Sequence, residues 1–191
     1  MANKIKYGLR KVHVAFLANG AYETPIHVPG AVNMTLDPEG SESPFHADDS
    51  IYYSQKKNNG YSGSLEMALF PDAVKARMLG DYIDSAGNYV EDAEGTPCPF
   101  ALLFEVQGDE KARRTAFYEV TASRPSENAQ TVEDDITPQT ETADITAVPH
   151  TFGTIDKKVP KLTCHQGETD YENFFEAVVE PKAAPAASTQ G

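Results

Sequence analysis

Residues 59–80, NGYSGSLEMALFPDAVKARMLG, predict a strand that runs directly into a short helix. Apolar side chains alternate with polar or small ones from Tyr61 to Leu69, which is the period of a strand with one buried face. Pro71 and Asp72 are typical of a first helical turn, and Gly80 is typical of a helix end. No catalytic motif occurs where strand and helix meet, so this segment indicates architecture rather than chemistry.

Length and composition predict a mainly β protein with one core. The chain has 191 residues, and its nine Tyr, nine Phe, 13 Gly and 13 Pro favour short strands separated by turns. We expect one domain over residues 1–180. Residues 170–179, DYENFFEAVV, predict a short C-terminal helix, and residues 181–191, PKAAPAASTQG, predict a disordered tail without a large apolar anchor.

Further strands are predicted along the chain from alternating or continuous apolar runs. The segments are 11–18, 26–28, 31–36, 51–53, 88–90, 100–106, 113–121 and 140–148. Pro29-Gly30 predicts a hairpin between the second and third of these, and 100–106 with 113–121 predicts another. Residues 100–106, FALLFEV, have the composition of a strand buried on both faces.

Charge is distributed unevenly over a chain whose net charge is −13. Residues 1–11 carry Lys4, Lys6, Arg10 and Lys11 and no acid, and residues 1–8 predict a flexible basic arm. The next lysine or arginine is Lys56, and the charged residues between Lys11 and Lys56 are all Asp or Glu. A surface this acidic repels phosphate and disfavours nucleic-acid binding, although acidic loops also serve solubility alone.

Residues 37–50, DPEGSESPFHADDS, are too polar for a core and predict a long loop that is functional, disordered or both. Candidate chemistry elsewhere is sparse. His13 and His27 can meet across a hairpin with His46 nearby, but no spacing demands a metal site. Cys98 and Cys164 are far apart and predict free thiols in a reducing cytoplasm. We therefore expect no catalytic residue, no cofactor and no bound metal.

Four segments, taken in order, resemble the major tail proteins of long-tailed bacteriophages, which form the tail tube. They are NKIKYGLRKVHVA at 3–15, NGYSGSLEMALFPD at 59–72 followed by Met78-Leu79-Gly80, FALLFEVQGDEKARR at 100–114 followed by Phe117-Tyr118, and TETADITAVP at 140–149. Each is short, and their order and spacing give the resemblance its specificity. Residues 150–180 match less clearly.

The resemblance implies a tail-tube β-sandwich with a flanking helix, six copies closing into a ring, and rings stacked into a tube in the virion that conducts DNA. It implies that residues 37–50 and the N-terminal arm contact neighbouring copies. The candidate contact residues are Lys4, Lys6, Asp37, Glu39, Glu42, Phe45, Asp48 and Asp49. Implied partners are further copies of the chain and the tape measure, tail terminator and distal tail proteins, with DNA as transient cargo and no membrane.

Two other functions remain open at this level. One is a monomeric or dimeric β-sandwich module that recognises a protein or carbohydrate through its acidic loops. The other is a small metal-dependent β-barrel enzyme that uses His13 and His27.

Overall fold

The computed structural model describes residues 3–47, 50–131 and 138–184, and within these ranges residues 43–47 and 50–55 are described by their backbone alone. Within these ranges the protein is mainly β with one short helix. The strands of the first half are β1 Lys6–Ala18, β2 Ala21–Tyr22, β3 Ile26–His27, β4 Ala31–Ala47 and β5 Ser50–Met67, followed by α1 Asp72–Leu79. The second half contains β6 Tyr82–Ile83, β7 Tyr89–Val90, β8 Phe100–Gly108, β9 Arg113–Ala122, β10 Glu141–Ala147, β11 His150–Phe152, β12 Lys157–Val159 and β13 Lys161–His165.

One antiparallel sheet organises the molecule. Its strand order is β2-β1-β8-β9-β10-β5-β4, with β13 added to β9 and β3 added to β1. The N-terminal strand β1 also approaches β4 near the far end of this order, so the sheet curls over on itself. The pairs β6–β7 and β11–β12 form two small separate sheets.

Apolar side chains fill both faces of β8, as the run FALLFEV predicts. Phe100, Leu102 and Phe104 belong to a core that also contains the helix, whereas Ala101 and Leu103 belong to a second core on the opposite face. The hairpin of β8 and β9 is confirmed by their antiparallel register.

The predicted passage from strand to helix is also confirmed. Leu65 and Met67 of β5 are buried, and α1 begins at Asp72. Gly80 ends the helix in a left-handed conformation with φ of 80°, and the amide of Asp81 donates to the carbonyl of Ala76 at 2.8 Å. Glycine adopts this conformation without the steric cost that other residues incur.

The C-terminal segment 170–179 consists of turns and not of the predicted helix. Its carbonyl groups at Tyr171 and Glu172 accept hydrogen bonds from Nη1 of Arg114, and the amide of Phe174 reaches back only three residues, to Tyr171. Tyr171 and Phe174 are buried in the second core. Tertiary contacts therefore override a helical pattern that is too short to hold its shape alone.

Two further predictions differ from the structure in how strands pair. The predicted hairpin around Pro29-Gly30 does not form, because β3 pairs with β1 whereas β4 pairs with β5. Residues 37–50 are predicted as a loop, but β4 continues through this segment to Ala47 and β5 begins at Ser50.

Candidate assembly surfaces

The strands β4 and β5 extend well beyond the rest of the sheet. They pair from Ala31 opposite Met67 to Ala47 opposite Ser50, but β10 pairs only with residues 61–67 of β5. Residues 39–47 and 50–60, called the ribbon below, therefore pair only with each other among the described residues. At about 3.3 Å per residue the ribbon is roughly 30 Å long. A two-stranded ribbon of this kind is marginally stable in water unless something packs against it.

Gly60 marks the point where the ribbon leaves the body of the protein. Its φ is 126°, and a Cβ at this position would lie 2.1 Å from the carbonyl oxygen of Ala147. Only glycine allows β5 to pass this close to the end of β10. The base of the ribbon is thus fixed by the sheet.

Three of the predicted acidic contact residues lie at exposed positions on β4. Asp37 is opposite Ser62, Glu39 accepts a hydrogen bond from the hydroxyl of Ser62, and Oε2 of Glu42 is 3.9 Å from Nζ of Lys56. The backbone of Phe45 pairs with Tyr53. Asp48 and Asp49 lie outside the described residues.

Residues 3–8, predicted as a flexible arm, are attached to the turn between β8 and β9. The side chain of Asn3 donates to the carbonyl of Lys111 at 2.6 Å and accepts from its amide at 2.8 Å. The amide of Lys4 donates to Asp109 at 2.9 Å, and Lys6 begins β1 opposite Gly108. Among the salt bridges of the described residues, none joins Lys4 or Lys6 to Glu39 or Glu42.

A buried carboxylate connects the sheet to the C-terminal segment. Glu105 on β8 has 0% exposure and accepts hydrogen bonds from Nε of Arg10 at 2.6 Å, Nε of Arg114 at 2.7 Å and the hydroxyl of Tyr171 at 3.2 Å. Burial alone would raise the pKa of Glu105, but the bonds from Arg114 and Arg10 and the nearby charge of Lys11 lower it to about 2. This ionised group holds β1, β8, β9 and Tyr171 together.

A second carboxylate, Asp81, fastens the loop after α1. It receives two hydrogen bonds from Arg124, at 2.6 and 2.7 Å, one from the hydroxyl of Tyr89 and one from the amide of Asp92 at 2.9 Å. The Arg124 guanidinium lowers the pKa of Asp81 well below its usual range. This cluster ties the β6–β7 region to the segment that follows β9.

The predicted meeting of His13 and His27 is confirmed by the pairing of β1 with β3. The two rings lie 4.9 Å apart, and His13 also stacks on Phe175 at 4.3 Å. Burial lowers the pKa of His13, and the charges of His27, Lys11 and Arg114 lower it further. Over the ranges described, no group of three His, Cys, Asp or Glu side chains is arranged to hold a metal ion.

Sequence reasoning did not single out Glu105, Arg114 or Asp81. One available signal was a lone charged residue inside the apolar run FALLFEV, since a buried charge needs a partner. The Arg113-Arg114 pair on the next predicted strand was a candidate partner, but the strand register that selects Arg114 is a tertiary property.

The described residues thus form a mainly β protein with a two-stranded ribbon that extends beyond its main sheet. The chain matches no protein-family model, and no curated protein sequence is significantly similar to it. No helix in the described part of the chain is long and apolar enough to cross a membrane.

Proposed function

We propose that this protein is a structural subunit that self-assembles into hexameric rings, and that the rings stack into the tail tube of a long-tailed phage. The tube conducts DNA into the host, and the subunit has no catalytic role. In this proposal the tape measure, tail terminator and distal tail proteins are its further partners, and it is assembled in the host cytoplasm and resides in the virion. The proposed fold is a tail-tube β-sandwich.

The observation that carries this proposal is the ribbon. A ribbon of about 30 Å that pairs with no further strand among the described residues is costly for a monomer, and a neighbouring copy supplies a partner. The strand β4 also has a second edge that pairs with no strand among the described residues. Such an edge promotes uncontrolled association unless assembly covers it, and a closed ring does so symmetrically.

The charge of the chain supports the same function. A duplex that moves through a channel is slowed by every phosphate contact with Lys or Arg, because each contact must be broken again. With a net charge of −13, the subunit offers a wall that repels DNA and lets it pass. A tube structure with a basic lumen would argue against this part of the proposal.

The ribbon can be removed with little effect on the sheet. Gly40 lies opposite Asn58, so a two-residue Asn-Gly turn in place of residues 41–57 closes a short hairpin. We expect the full chain to form rings or hollow tubes in negative-stain electron microscopy over a concentration series. We expect the shortened chain to stay monomeric by light scattering. Its far-ultraviolet circular dichroism spectrum should remain that of a folded β protein.

Two outcomes would contradict the proposal or the role that it gives to the ribbon. If the shortened chain forms the same rings, self-assembly stands, but residues 41–57 of the ribbon are not the contact that drives it. If the full chain remains monomeric or dimeric at every concentration, the alternative of a binding module for a protein or carbohydrate gains support.

A further inference from the structure

A groove of about 690 Å³ lies on the open side of the curled sheet. The N-terminal half of β1 forms one wall, the first part of β4 forms the other, and β8, β9 and β13 form the floor. Its apolar lining includes Leu9, Met34, Leu36, Phe104 and Phe117. Tyr7 and Val32 on its walls are 52% and 51% exposed, so the groove presents uncovered apolar surface.

The charged residues of the groove are all basic. Lys6, Arg113 and Lys161 line it, and no Asp or Glu does. This is unusual for a chain whose net charge is −13. The groove is therefore a local basic region on an acidic protein, and it favours a negatively charged occupant.

Arg113 differs from the other arginines of the chain. Arg10, Arg77, Arg114 and Arg124 each form a salt bridge with a carboxylate. Arg113 forms none with the described residues, and its Nε is buried without a hydrogen-bond partner there. A buried guanidinium nitrogen without an acceptor is costly, and a carboxylate is the group that the planar donors of arginine fit best.

Lys161 lies farther along the pairing of β13 with β9, opposite Phe117, and it is exposed. Its Nζ lies 4.6 Å from the ring centre of Tyr61 and 5.8 Å from that of Phe117, over the apolar floor. No salt bridge of Lys161 is found among the described residues. Thr115 and Thr163 place two hydroxyl groups, 3.2 Å apart, in the same lining. The groove thus combines three cations, two hydroxyls and an apolar floor.

We propose that the groove binds residues 37–42, the acidic segment of β4 at the base of the ribbon, of a second copy of this chain. Asp37 and Glu39 are exposed, and their positions two residues apart on a strand direct both carboxylates to one side. An extended segment suits a groove whose two walls are strands. This inference rests on the proposed self-assembly, and it names the surface that receives the ribbon.

The test is a cross-linking experiment on the full chain. Protein labelled with light nitrogen and protein labelled with heavy nitrogen are mixed, allowed to assemble and treated with a carbodiimide, which joins a lysine amine directly to a carboxylate in contact. Mass spectrometry then identifies linked peptides that contain one light and one heavy partner. We expect such peptides to join Lys161 or Lys6 to Asp37 or Glu39.

Variants sharpen the result. Arg113→Gln removes a charged hydrogen-bond donor without removing a reactive lysine, and it should reduce the Lys161 links between copies by about tenfold. Glu94→Gln, on an exposed loop remote from the groove lining, should leave them unchanged. A circular dichroism spectrum of Arg113→Gln is the control for its fold, and it should match that of the unaltered protein.

The outcomes separate this inference from the proposed function. Links between copies at other lysines, with none from the groove to Asp37 or Glu39, would overturn the inference and leave self-assembly standing. An absence of mixed-isotope peptides at every lysine would overturn both.

Discussion

At the scale of the residue, Glu105 shows how one charge is accommodated in an apolar strand. Its neighbours on β8 are buried apolar side chains, and its carboxylate reaches cations on the strands to either side. Without Arg114 and Arg10 the buried charge would be strongly unfavourable. Arg114 in turn lies 3.9 Å from the ring centre of Tyr171, so the same pair holds the C-terminal segment.

Replacing Glu105 with Gln should lower the free energy of unfolding at neutral pH by roughly 3 kcal/mol, because it leaves Arg114 and Arg10 without their carboxylate partner. The carboxylate has a pKa of about 2 in the folded protein against 4.5 ordinarily, and a lowered pKa means that folding favours the ionised form. The associated stability is present above pH about 4.5 and is lost as the pH falls toward about 2. Urea denaturation across this pH range measures the effect.

The Glu105→Gln variant should show a shallower loss of stability in acid than the unaltered protein. Glu110→Gln, in the exposed turn between β8 and β9, is the matched control and should change the stability by less than about 0.5 kcal/mol. Equal acid sensitivity in all three proteins would show that Glu105 is not the titrating group.

At the scale of the element, α1 ends where the loop between β7 and β8 passes close to it. A Cβ on Gly80 would lie 2.6 Å from the backbone of Thr96, in addition to the strain of a positive φ. Gly80→Ala should therefore destabilise the protein by about 2 kcal/mol, as measured by chemical denaturation.

Gly87 provides the comparison for that substitution. It also has a positive φ, of 89°, but a Cβ there would meet nothing within 4 Å. Gly87→Ala should cost only about 1 kcal/mol, which is the backbone strain alone. If the two variants are equally stable, the close approach of Thr96 to the helix end does not contribute.

At the scale of the whole molecule, two electrostatic effects oppose each other in the proposed assembly. Copies with a net charge of −13 repel one another, whereas the basic groove and the acidic residues 37–42 of the proposed contact attract. Salt screens exposed charges over a Debye length of about 10 Å at 0.1 M. If the attraction is the larger effect at contact distance, salt weakens assembly.

We therefore expect the protein concentration needed for ring formation to rise as sodium chloride increases from about 0.05 M to about 0.5 M. In the double variant Asp37→Asn, Glu39→Gln the dependence should vanish or reverse, because only repulsion between copies remains to be screened. Light scattering over a salt series measures both proteins. The same rise in the two proteins would argue against an attraction through these carboxylates.

The sequence determined the elements whose information is local. The alternation in residues 61–67, the helix that Gly80 ends, and the hairpin of β8 and β9 were all predictable, since side-chain period and turn residues act within a few positions. The tertiary structure decided how these elements are used. Residues 170–179 form turns because their carbonyls bind Arg114, and residues 37–47 form a strand because β5 supplies a partner.

Arg113 and Arg114 show the same division within two positions. The sequence gives them the same side chain in adjacent places, and a strand turns adjacent side chains to opposite faces. Arg114 meets the buried carboxylate of Glu105, whereas Arg113 lines the groove without a salt bridge among the described residues. The sequence alone shows that both arginines are present and that their side chains face opposite sides of the strand. Only the packing of β8 against β9 determines that Arg114 is the one that is neutralised, because the Glu105 carboxylate comes from another strand.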